Sequence, residues 1–209
     1  MASPRTSQRT SRPDWTLMNA IHDALRRDLD QLLCTTASRA AARARWEVFR
    51  AHLRYHLATE EVVMWQPARA RLAGDPHGQA LLDAMEDEHR LLGPLLAVTD
   101  DAFIMDADPA WLRQVVSRLR TRLASHLAHE EADALPLISQ IMTPPEIARI
   151  ARAVRGGTSV RRAGATVPWA LDGATHDVCH QVLSELSAPA RLLHRMAWLP
   201  RHTRNTPPL

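Results

Sequence analysis

Lysine is absent from the 209-residue chain, so its 26 positive side chains apart from histidine are all arginine. Glycine is scarce and tyrosine occurs once, while alanine, leucine and arginine dominate, a balance that favours helix over sheet. The only two cysteines, Cys34 and Cys179, lie far apart and form no Cys-x-x-Cys motif, so two buried, inert thiols are expected in preference to a disulfide. No apolar run approaches the roughly 20 residues of a membrane-spanning helix. The first twelve residues are polar and arginine-containing with no apolar segment behind them, which is not a secretory pattern. The expected location is cytoplasmic, with no membrane partner.

The length suits one buried core with extensions. Its formal charge of +3 is unevenly placed. Residues 144–209 carry nine arginines against four acids, a net +5, which leaves residues 1–143 at −2. A solvated helix face is the simpler reading of that basic segment; a protein partner for it stays open, and nucleic acid is not expected.

Hydrophobic spacing then divides the chain into an N-terminal arm (1–13) expected to be disordered, a four-helix bundle (14–143) and a helical, arginine-rich extension (144–209). The first helix is expected from about Trp15 to Cys34, with Trp15, Met18, His22, Leu25, Leu29 and Leu32 as its buried stripe. The second starts at Ser38 and ends near Leu72, with the stripe Trp46, Phe49, Leu53, His56, Glu60 and Val63. The third covers about His77 to Val98 and carries Leu82, Met85, His89, Leu92 and Leu96, with a bend or break at Gly93-Pro94. Asp108-Pro109 opens the fourth, which runs to about Met142 with Val116, Leu119, Leu123, His126, Glu130, Asp133 and Leu137. Pro67 and Pro136 are expected to kink their helices just beyond the histidine and glutamate positions. A short helix opens at Thr143-Pro144 and stops at Gly156-Gly157. Residues 158–174 read as linker, two short helices fall near 175–186 and 188–198, and Pro200 to Leu209 is expected to fray. The fold class is all-α, an up-down-up-down four-helix bundle.

Six metal-capable side chains occupy these seams: His22, His56, Glu60, His89, His126 and Glu130. His56 and Glu60, like His126 and Glu130, are four residues apart and differ by only about 40° around a helix. Burying unpaired ionisable groups costs several kcal/mol, and six of them spread over four seams are hard to explain singly. A metal centre offsets that cost by supplying positive charge and directed bonds. Four imidazoles and two carboxylates are too many for one tetrahedral zinc and suit two borderline ions, most plausibly iron. A zinc-protease motif is absent, because Asp133 stands where His-Glu-x-x-His needs its second histidine. Only Glu86-x-x-His89 fits the ferritin-like pattern, which needs two such motifs.

The set His22, His56-x-x-x-Glu60, Glu88-His89 and His126-x-x-x-Glu130-Glu131 resembles the hemerythrin-like (HHE cation-binding) domain family over about residues 15–142. The resemblance implies that His22 and His56 bind one iron, that His89 and His126 bind the other, and that Glu60 and Glu130 bridge them with an oxo or hydroxo group. The sequence departs from the oxygen carriers of the family. They have a second histidine one turn from the first on the third helix, where this chain has Met85 and Gly93 four residues either side of His89. They also have an aspartate five residues after the fourth-helix histidine, where this chain has Glu131. Glu131 therefore competes with Glu130 as the bridge, although the seam favours Glu130. One missing ligand leaves both irons an open position, which suits reaction with O2, H2O2 or NO, catalase-like turnover included, better than carriage. The rival reading is an oxygen, redox or iron sensor that signals through the basic C-terminal segment.

The remaining polar residues carry paired expectations. His52 and His129 are substitute ligands, proton shuttles or plain exposed residues. Tyr55 either approaches the centre or packs between helices. Asp133 is either an acceptor for a histidine N–H or an end-of-seam polar residue. No role is assigned to His176, His180, His194 and His202.

Overall fold

A computed structural model describes residues 14–34 and 38–205, and the N-terminal arm lies outside that range. Four rods form the bundle. They are α1 (Thr16–Cys34), α2 (Arg39–Glu60) continuing into α3 (Gln66–Arg71), α4 (Pro76–Ile104), and α5 (Pro109–His129) continuing into α6 (Leu135–Ile141). Polar caps start them where the sequence places them: Ser38 accepts from the Ala41 N–H, Asp75 from His77, and Asp108 from Ala110 and Trp111. The buried faces meet in one core that includes Leu25, Leu29, Trp46, Phe49, Leu53, Leu82, Met85, Leu92, Leu119 and Leu123.

Pro67 and Pro136 do not simply kink their rods. A π-helical turn precedes each, Glu61–Trp65 between α2 and α3 and Glu130–Ala134 between α5 and α6. In these turns the Gln66 N–H reaches the Glu61 carbonyl and the Leu135 N–H reaches that of Glu130, five residues back. Proline has no N–H for the carbonyl four residues earlier, and its ring collides with that carbonyl, so a locally wider helix relieves both problems. The extra residue shifts the buried seam by one position. Met64 is buried in place of the expected Val63, and Ala134 and Ile138 in place of Asp133 and Leu137.

Gly93-Pro94 does not break α4, which runs on to Ile104. Both residues lie on the exposed side of the helix, where solvent can satisfy the freed carbonyl.

The extension forms α7 (Pro144–Arg155), α8 (Val160–Leu171), α9 (His176–Ser184), α10 (Ala188–Leu193) and α11 (Leu199–Asn205). A third π turn, His194–Trp198, joins α10 to α11 and again ends just before a proline, Pro200. The expected linker 158–174 is thus mostly helix, and residues 200–205 are helical rather than frayed; residues 206–209 lie outside the description. Glycines and Pro168 made α8 read as loop, but they serve packing. A Cβ at Gly164 would come within 2.7 Å of the Trp198 indole, so only glycine lets that ring approach. Gly156, at φ 129°, takes the left-handed turn that ends α7.

α7 packs on α1 and α2, while α8 and α9 pack on α1. Trp169 fastens α8. Its indole N–H donates to Asp28 at 2.8 Å, its ring stacks on His52 at 3.9 Å between centroids, and its carbonyl accepts from Arg27. Tyr55 donates to the Ala153 carbonyl at 2.6 Å and lies under the Arg162 guanidinium, so it packs between helices. A linker tryptophan would be nearly neutral to remove, whereas a buried one costs about 3–5 kcal/mol. Trp169→Ala is therefore expected to lower the unfolding free energy by that larger amount in a urea titration.

Candidate metal centre

The six seam residues converge. His22, His56, Glu60 and Glu130 offer atoms within 4.8 Å of one another, as do Glu60, His89 and His126, so Glu60 is common to both groups. Its Oε1 lies 2.9 Å from His56 Nε2 and its Oε2 3.5 Å from His89 Nε2. Glu130 Oε2 lies 3.3 Å from His22 Nε2 and 4.0 Å from His126 Nε2. Each carboxylate thus faces one histidine from each half of the cluster. The halves are compact: the His22 and His56 rings meet edge-on at 5.0 Å, and those of His89 and His126 at 4.6 Å.

Burial makes the arrangement costly. Glu60 and Glu130 are fully buried, and none of their four oxygens has a hydrogen bond. Burial pushes both carboxyls well above their usual range, and for Glu130 the neighbouring Glu60 adds to the shift. Burial likewise holds the imidazoles neutral, at about 4 for His22 and His126 and about 3 for His56 and His89.

Two of the imidazoles are aimed from behind. Glu131 Oε1 lies 2.7 Å from His22 Nδ1, and Arg26 clamps the same carboxylate with Nη1 at 2.9 Å and Nη2 at 3.0 Å. Burial raises the Glu131 carboxyl, but its bonds to His22 and Arg26 win and hold it at about 2. On α4, Glu88 Oε2 takes His126 Nδ1 at 2.9 Å, and its Oε1 takes His129 Nδ1 at 2.9 Å. An imidazole that gives its Nδ1–H to a carboxylate keeps its Nε2 lone pair free. The Nε2 of His22 then faces a Glu130 oxygen at 3.3 Å, and neither atom has a hydrogen bond, a pair of buried donors that a cation would satisfy. The donor set fits metal ions.

This is the pattern of a cation-binding bundle, and the profile of the hemerythrin HHE cation binding domain matches residues 14–138. The chain belongs to that family. Neither a curated protein nor a solved structure matches it.

Within this hemerythrin-like domain several residues take up different roles from those open in the sequence. Glu131 stands behind His22, and Glu130 stands between the two halves. Asp133 is exposed and lies 3.7 Å from His129 Nε2, away from the six residues, because the π turn rotates it outward. His129 bonds to Glu88, and His52 stacks on Trp169; neither is an exposed bystander, and neither joins the cluster. Gly93 points to solvent and Met85 is buried in the apolar core. Arg26 had no assigned part, although its position four residues after His22 places it on the same helical face.

Glu131→Ala and Glu88→Ala remove the acceptors that aim His22 and His126. Each is expected to weaken metal affinity about 10–100-fold, read by competition with a chelator, while the helical content is unchanged. His52 supplies an independent pH handle. Burial holds it at about 4, whereas an unfolded histidine titrates near 6.5, so stability is lost as pH falls through that window. His52→Phe, which preserves the stack, is expected to flatten the pH dependence of unfolding between 6.5 and 4 by up to about 1 kcal/mol per unit.

Proposed function

We propose that this hemerythrin-like domain is a non-haem di-iron protein that binds or reduces a small oxidant: O2, H2O2 or NO. The observation that carries the reading is the placement of Glu60 and Glu130. Two buried carboxylates without hydrogen bonds each face one imidazole of each pair. His22 and His56 would hold one iron and His89 and His126 the other, with Glu60 and Glu130 bridging beside an oxo or hydroxo group. Bound iron would supply Lewis acidity and one-electron redox chemistry toward the oxidant.

The chain's own residues prepare that chemistry. Glu131 and Glu88 keep the Nε2 atoms of His22 and His126 directed inward. Arg26 holds Glu131 ionised. The apolar core that includes Leu53, Met64, Trp65 and Leu123 keeps the bundle interior nonpolar. His89 is the most accessible of the six, its side chain 12% exposed, so a small molecule approaches from the α4 side. Trp65 lies there, its ring 6.4 Å from that of His89, with a buried indole N–H that has no partner. That N–H is a donor for a polar guest. Catalase-like disproportionation is the enzymatic form of this reading.

A sensor role has one specific support: Trp169 of α8 stacks on His52, one helical turn before His56. A metal-dependent change could reach the extension along that turn. Among the described residues no helix is long and apolar enough to cross a membrane.

Metal analysis of anaerobically purified protein tests the centre. About two irons per chain are expected, as in other di-iron bundles, lost in Glu60→Ala and Glu130→Ala, with an oxo-bridge band in the near ultraviolet. Zinc alone, or a stable fold that takes no metal, overturns the reading. Peroxide turnover no faster than that of free iron removes the catalase-like form. Hydrogen exchange in α8 that differs between iron-loaded and chelated protein supports the sensor; identical exchange removes it.

A further inference from the structure

Two exposed surfaces at different elements of this chain are complementary in both charge and apolarity. The first is the outer face of α10, the π turn and α11. Leu192, Leu193, Met196 and Leu199 are all exposed there, Met196 at 68%. Leu192, Leu193 and Met196 fall within one turn of the rod, and Leu199 follows just past the π turn. Arg195, Arg201 and Arg204 lie on the same rod and are exposed, and no acid occurs from residue 186 to the end of the chain. The opposite side of the rod is occupied, with His194 buried and Trp198 seated against Gly164. The apolar stripe is therefore surplus to the fold.

The second surface is the turn from α4 to α5. Ile104, Met105 and Trp111 are exposed there, Met105 at 76%. Exposed Asp101, Asp106 and Asp108 surround them. Arg39 pairs with Asp106, and Asp108 caps α5, which leaves the face acidic. Contiguous exposed apolar side chains rimmed by charge mark an interaction site rather than ordinary surface.

We propose that α10–α11 of one copy docks on the α4–α5 turn of a second copy, methionine and leucine against methionine, isoleucine and tryptophan, arginine against aspartate. The N-terminal arm is a poor occupant of the basic face, since residues 1–13 hold three arginines and no acid. The contact joins two different surfaces, so it is head-to-tail, and the pair keeps one free face of each kind. With few apolar side chains on either side, the interface falls in the small, concentration-dependent class and weakens with salt.

Sedimentation of the full-length protein over rising concentration, at low and high salt, tests this. The expected result is mass beyond one chain that grows with concentration and falls with salt. Met196→Asp spoils the basic face and Met105→Arg the acidic one. Both residues are exposed, so unchanged thermal midpoints are expected to show that the fold is intact. Each variant alone should remain a single chain. An equal mixture should form a species of two chains and nothing larger, because one intact face of each kind survives. A wild-type protein that stays a single chain at every concentration overturns the proposal. So does association that survives either substitution, a mixture that stays monomeric, or a mixture that assembles beyond two chains.

Discussion

The constraint on which the structure depends is the burial of two carboxylates and four imidazoles at the middle of an apolar bundle. In a low-dielectric interior an unpaired ionised carboxylate costs several kcal/mol, more than a domain of this size can spare twice over. Raised carboxyls and depressed imidazoles are the protein's response when nothing else balances the charge. Cations bound among these six side chains would remove the conflict. Each helix rod contributes to that one point, so a bound centre would also tie the four rods together.

Around this point the chain arranges support at increasing distance. Glu131 with Arg26 and Glu88 with His129 stand behind opposite imidazoles on opposite sides, so the two halves are held by equivalent means from different helices. Just beyond, the prolines at 67 and 136 force π turns, and the seam past the site advances by one residue. The result closes the far end of the site with Met64, Trp65, Ala134 and Leu135 instead of polar Asp133. Residues that look like helix defects thus set which side chains the bundle buries.

The extension does not behave as a separate basic tail. α7 and α8 are part of the same core, fastened through Trp169 to Asp28 and His52, and the surplus arginines collect on the outermost rod. Charge and exposed apolarity there oppose those of the α4–α5 turn, so the asymmetry evident in the sequence becomes a pair of complementary faces once the fold places them.

The sequence by itself determined the four bundle rods, their caps and the six converging residues, because helical periodicity and capping act over a few residues and write themselves locally. It also carried the family pattern. Only the tertiary structure decided which carboxylate stands between the histidines and which stands behind, since Glu130 and Glu131 differ by one position and their partners come from α1 and α4. It likewise decided that Asp133 turns outward, through a proline-induced change of helix pitch that a fixed 3.6-residue period does not contain. Residues 158–174 read as linker because glycine and proline are breakers on average. They are helix here because Gly164 admits an indole and Trp169 finds Asp28 more than a hundred residues earlier, a contact that no local pattern encodes.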